Sequence, residues 1–336
     1  MDFPILNGER YNLKEMMASR GDRIIIAVGV SSGFEAKLLY KTICQLYEEN
    51  KIPDYIGGFV TFVSGYLCAA HYGLPDLGFI LREQIVRHTT VIEQATWMAA
   101  LGGPMPALPI GVDIDTGYGN EPFSTVLTCR GVHRAGGQYA QIEDQYSINK
   151  SCGHMAGGHG AGKEVISKDE MVNLRVKPAV QFASTVDDLT IMVRTDAIAV
   201  EGFESGIDRM HAYEEAGAGI LFVEAPDSEE QMKKVVRAFK DSKAVTMANM
   251  VEGSSHTPFK TPRELHEIGF GMGLYVLGGL LSSRYAQQRY YETLATNGNT
   301  LKEIGGTEGE WFGDVSSICG REQAESINIS FHNMLK

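Results

Sequence analysis

The chain has 336 residues, 43% of them hydrophobic and 21% charged. That suits a globular protein of one large or two ordinary domains and excludes a disordered, collagen-like or disulfide-scaffold chain. Thirty Lys+Arg against 42 Asp+Glu give a net charge of −12, which removes any electrostatic basis for nonspecific nucleic-acid or anionic-membrane binding while leaving room for a local basic pocket.

In chain order, residues 1–10 carry acids early and lack a long apolar core, so they do not read as a secretory leader. Strands are predicted over 23–28, 55–63, 108–113, 138–143, 189–194, 219–224, 244–249 and 273–277. Helices are predicted over 33–49, 81–100, 122–135, 168–184, 205–216, 229–239 and 262–268, with helical sequence from the last strand to about residue 295. Near-continuous apolar strands belong in a parallel sheet covered on both faces. Eight strand–helix units favour an α/β fold of the closed (β/α)8 barrel type, the alternative being an open doubly wound sheet with an extra lobe. The expected organisation is an N-terminal extension at 1–22, the barrel at 23–296, and a helical C-terminal extension at 297–336 that caps the barrel or packs on another subunit. Glycine, at 38 residues, is in excess and points to tight loops at a binding surface. The five cysteines are scattered without a CxxC, and no uncharged apolar run is long enough to span a bilayer, so a reduced, cytoplasmic protein is expected.

In such barrels the chemistry sits where the strands end. Here the ends carry Ser64-Gly65-Tyr66, Asp113-Ile114-Asp115, Glu143-Asp144-Gln145, Arg194-Thr195-Asp196, Glu224-Ala225 and Asn249. Asp113 and Asp115 stand two apart on a strand, which aims both the same way. With Glu143 they form a carboxylate cluster that calls for a cation, and hard oxygens favour Mg2+ or Mn2+. The structural alternative makes Asp115 a turn residue and pairs Asp113 with a lysine. Arg194 is the natural carboxylate clamp, or an ion-pair partner of Glu143 or Glu224, or both.

After the fourth strand comes a glycine-rich loop over residues 150–163. Its length over an active face predicts a mobile lid. Cys152 lies between Lys150 and His154, and nearby cations suit a cysteine that transfers a proton or attacks a substrate. Residues 157–163 formally match G-x-x-x-x-G-K, but Glu164 stands where a P-loop needs Ser or Thr. Cys152, His154 and His159 match no standard zinc spacing.

Taken in order, these stretches resemble the isocitrate lyase/phosphoenolpyruvate mutase superfamily over roughly residues 24–330. They are Ser64-Gly65-Tyr66 with Gly73-Leu74-Pro75-Asp76, residues 113–119, Glu143-Asp144-Gln145, residues 150–155, Arg194-Thr195-Asp196-Ala197, Glu224-Ala225-Pro226 and residues 249–253. The resemblance implies a barrel whose eighth helix is exchanged between subunits of a homotetramer. It implies Mg2+ or Mn2+ near Asp113, Asp115 and Glu143, partly through water, and a 2-hydroxy or 2-oxo acid substrate processed through an enolate. It places catalysis on Cys152, Glu143 and Arg194. Substrate contacts fall to Ser64, Gly65, Tyr66, Asp113, Lys150, Gly153, His154, Arg194, Glu224 and Asn249.

Cys152 separates the branches of the superfamily. Lyases look like Lys-(Lys/Arg)-Cys-Gly-His here, whereas phosphonate enzymes lack the cysteine, so carbon–carbon cleavage is expected. Residues 62–66 and 249–253 look closest to the 2,3-dimethylmalate lyase and petal-death-protein group. The expected reaction is retro-aldol cleavage of a 2-alkylmalate- or methylisocitrate-type substrate. Oxaloacetate hydrolysis or decarboxylation, phosphonate chemistry and a non-catalytic dicarboxylate-binding barrel are the alternatives. Ser151, the longer glycine-rich loop and Phe62 in place of a tyrosine depart from the family pattern. Phe62 leaves the general base open between Glu143 and Glu224, with Tyr118 or water as a relay, and the three departures together leave the exact substrate open.

Overall fold

The computed structural model describes residues 9–147, 150, 152–153, 163–296, 298–301, 303–304 and 310–333. Its centre is a closed barrel of eight parallel strands in sequence order. These are β1 (Ile24–Gly29), β2 (Ile56–Val63), β3 (Ile110–Asp113), β4 (Tyr139–Glu143), β5 (Thr190–Thr195), β6 (Ile220–Val223), β7 (Val245–Met250) and β8 (Met272–Tyr275). β1 pairs with β8 through Ile25–Met272 to Val28–Tyr275 and so closes the ring. The open-sheet alternative is thereby excluded.

The period-two geometry of a strand sorts its side chains into two cores. Ile25, Ala27, Val60, Phe62, Tyr139, Met192, Ile220, Phe222, Met247, Met272 and Leu274 form one buried cluster, with Leu13 from the short helix Leu13–Ser19 joining it. Their neighbours Ile24, Ile26, Val63, Ile110, Val112, Ala140, Ile142 and Val193 face the surrounding helices with Ile85, Ile92, Met210 and Leu265. Glycine at 111 is required by close approach: a Cβ there would lie 1.8 Å from the ring of Tyr139, its partner across the ladder. Tyr139 fills that space and stacks on Phe62, with ring centroids 5.8 Å apart.

The helices follow the periodic segments. Gly33–Glu48 is N-capped by Ser32, and Pro262–Ile268 carries a Thr261/Glu264 capping box and ends at a left-handed Gly269. Between residues 168 and 183 the helix is continuous but contains a π-helical stretch, Met171–Val176. Three short helices have no counterpart in the predicted elements: Leu13–Ser19, Gly65–His71 and Ala197–Glu201. The last barrel helix, Gly278–Thr296, has no buried residue within a single chain. Glu310–Ile318 docks on the barrel, where Lys37 donates to the Cys319 carbonyl at 2.7 Å. No helix among the described residues is long and apolar enough to cross a membrane.

His88, on the helix Arg82–Ala100, is buried, and its ring lies 5.1 Å from that of His71. Burial, then the neighbouring imidazole, push its pKa from the usual 6.5 down to about 4. The folded chain therefore binds fewer protons than the unfolded chain, so this contribution is complete above pH 6.5 and declines as pH falls toward 4. Wild type is expected to lose about 2 kcal/mol from this group between pH 7 and pH 5. His88→Leu should show a correspondingly flatter dependence, read from urea midpoints at the two pH values.

Candidate active site

The C-terminal ends of the strands deliver the polar groups. β2 ends at Ser64, which N-caps Gly65–His71 and accepts from the Tyr66 N–H at 3.1 Å. Asp113, the last residue of β3, accepts from the Gly65 N–H at 3.2 Å and from the Asp115 N–H at 3.0 Å. Asp115 lies beyond the strand with φ of +48°, so a left-handed turn, rather than strand alternation, brings it beside Asp113. Both carboxylates sit over Gly65, where a Cβ would be 3.1 Å from Asp113 Oδ2 and 3.2 Å from Asp115 Oδ1.

Lys150 is buried between acids. Its Nζ ion-pairs with Asp115 and bonds Asp76 at 2.8 Å. Burial alone would lower this ammonium, but the Asp115 and Asp76 charges reverse the effect and hold it well above its usual range. Asp113 is pushed up to about 6 by burial and then by Asp115.

Arg194, on β5, gathers three acids. Its Nε and one terminal nitrogen each bond Asp196 at 2.8 Å. The other terminal nitrogen lies 3.2 Å from Glu143, and Glu224 is 3.6 Å away. Glu143 is raised well above the usual carboxylate range by burial, against the opposing pull of Arg194 and Lys150.

A second layer fixes these groups. Arg175, from the π-helical stretch, donates to the carbonyls of Glu143 at 2.6 Å and Gln145 at 2.8 Å. Asp144 accepts from Thr195 Oγ1 at 2.7 Å, the Asp196 N–H at 2.9 Å and Tyr213 at 3.0 Å, with Arg209 at 3.5 Å. It thus binds the end of β4 to the end of β5.

These groups line a small cavity of about 40 Å3. Ser64, Tyr66, Asp76, Asp113, Gln141, Cys152, Gly153, Arg194, Glu224 and Asn249 supply its polar wall. Phe62, Phe222, Val251, Leu274, Val276 and Leu277 supply an apolar one. The structure therefore brings together every proposed site residue except His154, which lies outside the described residues. Gly65, Asp115, Glu143 and Lys150 border the lining rather than form it. Sequence reasoning assigned no role to Asp76, Asp196, Gln141 or the apolar wall. Asp76 and Asp196 occurred within the family-like stretches, which was the available signal.

The donor chemistry suits a hard divalent ion. Both oxygens of Glu143 are buried and accept no hydrogen bond from the described residues, their close cation among these being the ion-paired Arg194, and the carboxylates of Asp113 and Asp196 act on the same group. Among the described residues no three His, Cys, Asp or Glu side chains close into a direct ligand set. Mg2+ tolerates this, because it retains several waters and takes one or two carboxylates directly.

The phosphoenolpyruvate phosphomutase family model matches residues 57–284. The chain belongs to the phosphoenolpyruvate mutase/isocitrate lyase family. It is 30% identical over 321 residues to 2,3-dimethylmalate lyase of Eubacterium barkeri, covering 95% of this chain and 96% of that protein. It is 36% identical over 266 residues to 2-methylisocitrate lyase of Salmonella typhimurium, covering 78% and 82%. The crystal structure of a 2,3-dimethylmalate lyase superposes with a TM-score of 0.78 at 25% identity over 94% of each chain. A phosphonopyruvate hydrolase complex with oxalate and Mg2+ shares the fold at a TM-score of 0.73 and 18% identity, over 95% of this chain and 98% of that one. Both of these curated relatives are named as lyases, and the chain is a lyase of this superfamily.

Lys150→Met should destabilise the protein by about 3–5 kcal/mol, because it leaves Asp115 and Asp76 buried without their cation. Chemical denaturation near neutral pH measures the loss, and a change below about 1 kcal/mol would show that the pair is solvated.

Proposed function

We propose that this enzyme cleaves the C2–C3 bond of a 2-alkylmalate-type 2-hydroxy-dicarboxylate, releasing a 2-oxo acid such as pyruvate and a carboxylic acid. The observation that carries this reading is the two-faced cavity. Its polar wall of Ser64, Asp113, Arg194, Glu224 and Asn249 suits carboxylate and hydroxyl groups. Its apolar wall of Phe62, Phe222, Val251, Leu274 and Val276 suits an alkyl substituent, which a phosphonate substrate does not have.

Asp113, Asp115 and Glu143 would hold Mg2+ or Mn2+, partly through water, and the ion when bound supplies positive charge against negative charge developing on substrate oxygens. Arg194, held in plane by Asp196, offers its guanidinium to a substrate carboxylate. The Gly65 N–H is engaged with Asp113, so the Ser64–Gly65 turn acts through that aspartate more than as a free donor. Glu143 or Glu224 takes the hydroxyl proton. Tyr118, raised well above its usual range by burial and the Asp115 and Asp113 charges, keeps its own proton and does not act as that base. As the C2–C3 bond breaks, its electron pair moves to C3 and the Cys152 thiol delivers a proton there. A homotetramer that exchanges the helix Gly278–Thr296 accounts for the absence of buried residues on that helix in one chain.

A screen of malate derivatives with Mg2+, following 2-oxo acid release, tests the assignment. Turnover of 2-alkylmalates that EDTA abolishes is expected. Oxalate from oxaloacetate, or turnover of phosphonopyruvate alone, would overturn it, and inertness toward every such acid would leave a binding barrel. Cys152→Ser should lower turnover at least ~100-fold, the range of general-acid catalysis, while Mg2+ affinity by calorimetry stays close to wild type. Near-normal activity would remove the cysteine from the mechanism.

A further inference from the structure

Lys163 stands at the far end of the glycine-rich loop, and its side chain is almost wholly buried, at 7% exposure. Burying an ammonium is costly unless it is paired and hydrogen-bonded. Its Nζ donates to the Gly153 carbonyl and reaches Asp196 Oδ1 at 3.3 Å. Asp196 is the carboxylate that grips Arg194 with both oxygens at 2.8 Å. Gly153 itself presses on the same group: a Cβ there would fall 1.8 Å from Glu224 Oε1 and 2.2 Å from an Arg194 terminal nitrogen.

The base from which Lys163 reaches is fixed. Gln145 bridges to Val165, the Tyr146 N–H donates to the Glu164 carbonyl at 3.0 Å, and the Ile166 N–H donates to Asp144 at 2.9 Å. A residue whose next three neighbours are bonded to the segment just after β4 therefore extends a cation onto the Gly153 carbonyl, one residue beyond Cys152, and onto the acid that orients Arg194.

We propose that Lys163 is a positioning residue that sets Cys152 and Arg194 in mutual register, using Asp196 and the Gly153 carbonyl as its two points of attachment. The cysteine is thereby held over the same spot that the guanidinium presents to a carboxylate. The catalytic consequence rests on Cys152 being the proton donor proposed above, whereas the tether itself does not.

The test pairs Lys163→Met with Lys163→Arg. In the free enzyme, Cys152 alkylation by iodoacetamide, followed by peptide mapping, should accelerate roughly tenfold in Lys163→Met through local release of the peptide. It should remain near wild type in Lys163→Arg, which retains the charge. With a substrate from the malate screen, kcat should fall on the order of 10²-fold in Lys163→Met, as expected for misplaced groups, and Lys163→Arg should recover most of it. Should the Met variant not fold, as judged by near-ultraviolet circular dichroism, Lys163→Gln takes its place. Wild-type alkylation of Cys152 in the folded variant overturns the tether, whatever happens to turnover. Faster alkylation alongside full activity of Cys152→Ser leaves the tether standing and rejects the cysteine as proton donor.

Discussion

The site depends on one constraint: too many carboxylates share one dry rim. Among the described residues, Asp76, Asp113, Asp115, Glu143, Asp196 and Glu224 face the cations Lys150, Lys163 and Arg194. Charge in a low-dielectric pocket must be compensated or neutralised. The chain compensates part of it with shared cations, since Lys150 serves two acids and Arg194 three. The remainder appears as raised carboxyl pKa values at Asp113 and Glu143. A divalent ion is the further balance that such an excess of buried carboxylate calls for. Burial of so many acids lowers stability locally, which is what a functional site, more than a structural one, retains.

The barrel tolerates this because each end of the molecule is differently built. A larger cavity, about 510 Å3, opens at the N-terminal ends of the strands and is lined by Lys14, Arg20, Thr190, Gly219, Ser242 and Lys243 among others, with no carboxylate among its lining residues. The buried acids and Arg194 converge on the far smaller cavity at the opposite end. Size is therefore a poor guide here, and convergence of charged side chains is the better one.

Much of the architecture was legible because hydrophobic period and helix signals are local. Every predicted strand lies within two residues of an observed one, and Pro262 and Thr261 mark their helix start without tertiary help. The short helix Gly65–His71 escaped because seven residues carry too little period to distinguish it from a loop. The π-helical stretch escaped because Met171–Val176 has an ordinary helical pattern, and its function, aiming Arg175 at the Glu143 and Gln145 carbonyls, is tertiary. The rim acids were legible as strand ends. Their partners were not: Asp76 meets Lys150 across 74 positions, and Tyr213 meets Asp144 across 69. The placement of Asp115 was anticipated for the wrong reason, since a positive φ rather than strand alternation turns it inward.

That last point bears on how the site holds its geometry. Positive φ at a non-glycine residue is uncommon and mildly strained. It occurs here at Asp115, Tyr118 and Ala225, each within the loops that carry or follow the acids. Such conformations persist only where surrounding bonds over-determine them. The Asp115 N–H is held by Asp113, the Asp115 carbonyl by the Glu143 N–H at 3.0 Å, and Glu224 is held in turn by a backbone bond to the Thr195 carbonyl at 3.0 Å. The loop after each strand is thus bonded to a neighbouring strand end, and Asp144 repeats the device with a side chain across β4 and β5. Position around the rim is transmitted from strand to strand, so the charged groups beyond the strand ends keep their spacing relative to those within the barrel. The apolar wall contributes the complementary constraint from within the barrel, where Phe222 packs beneath the Arg194 guanidinium at 5.5 Å.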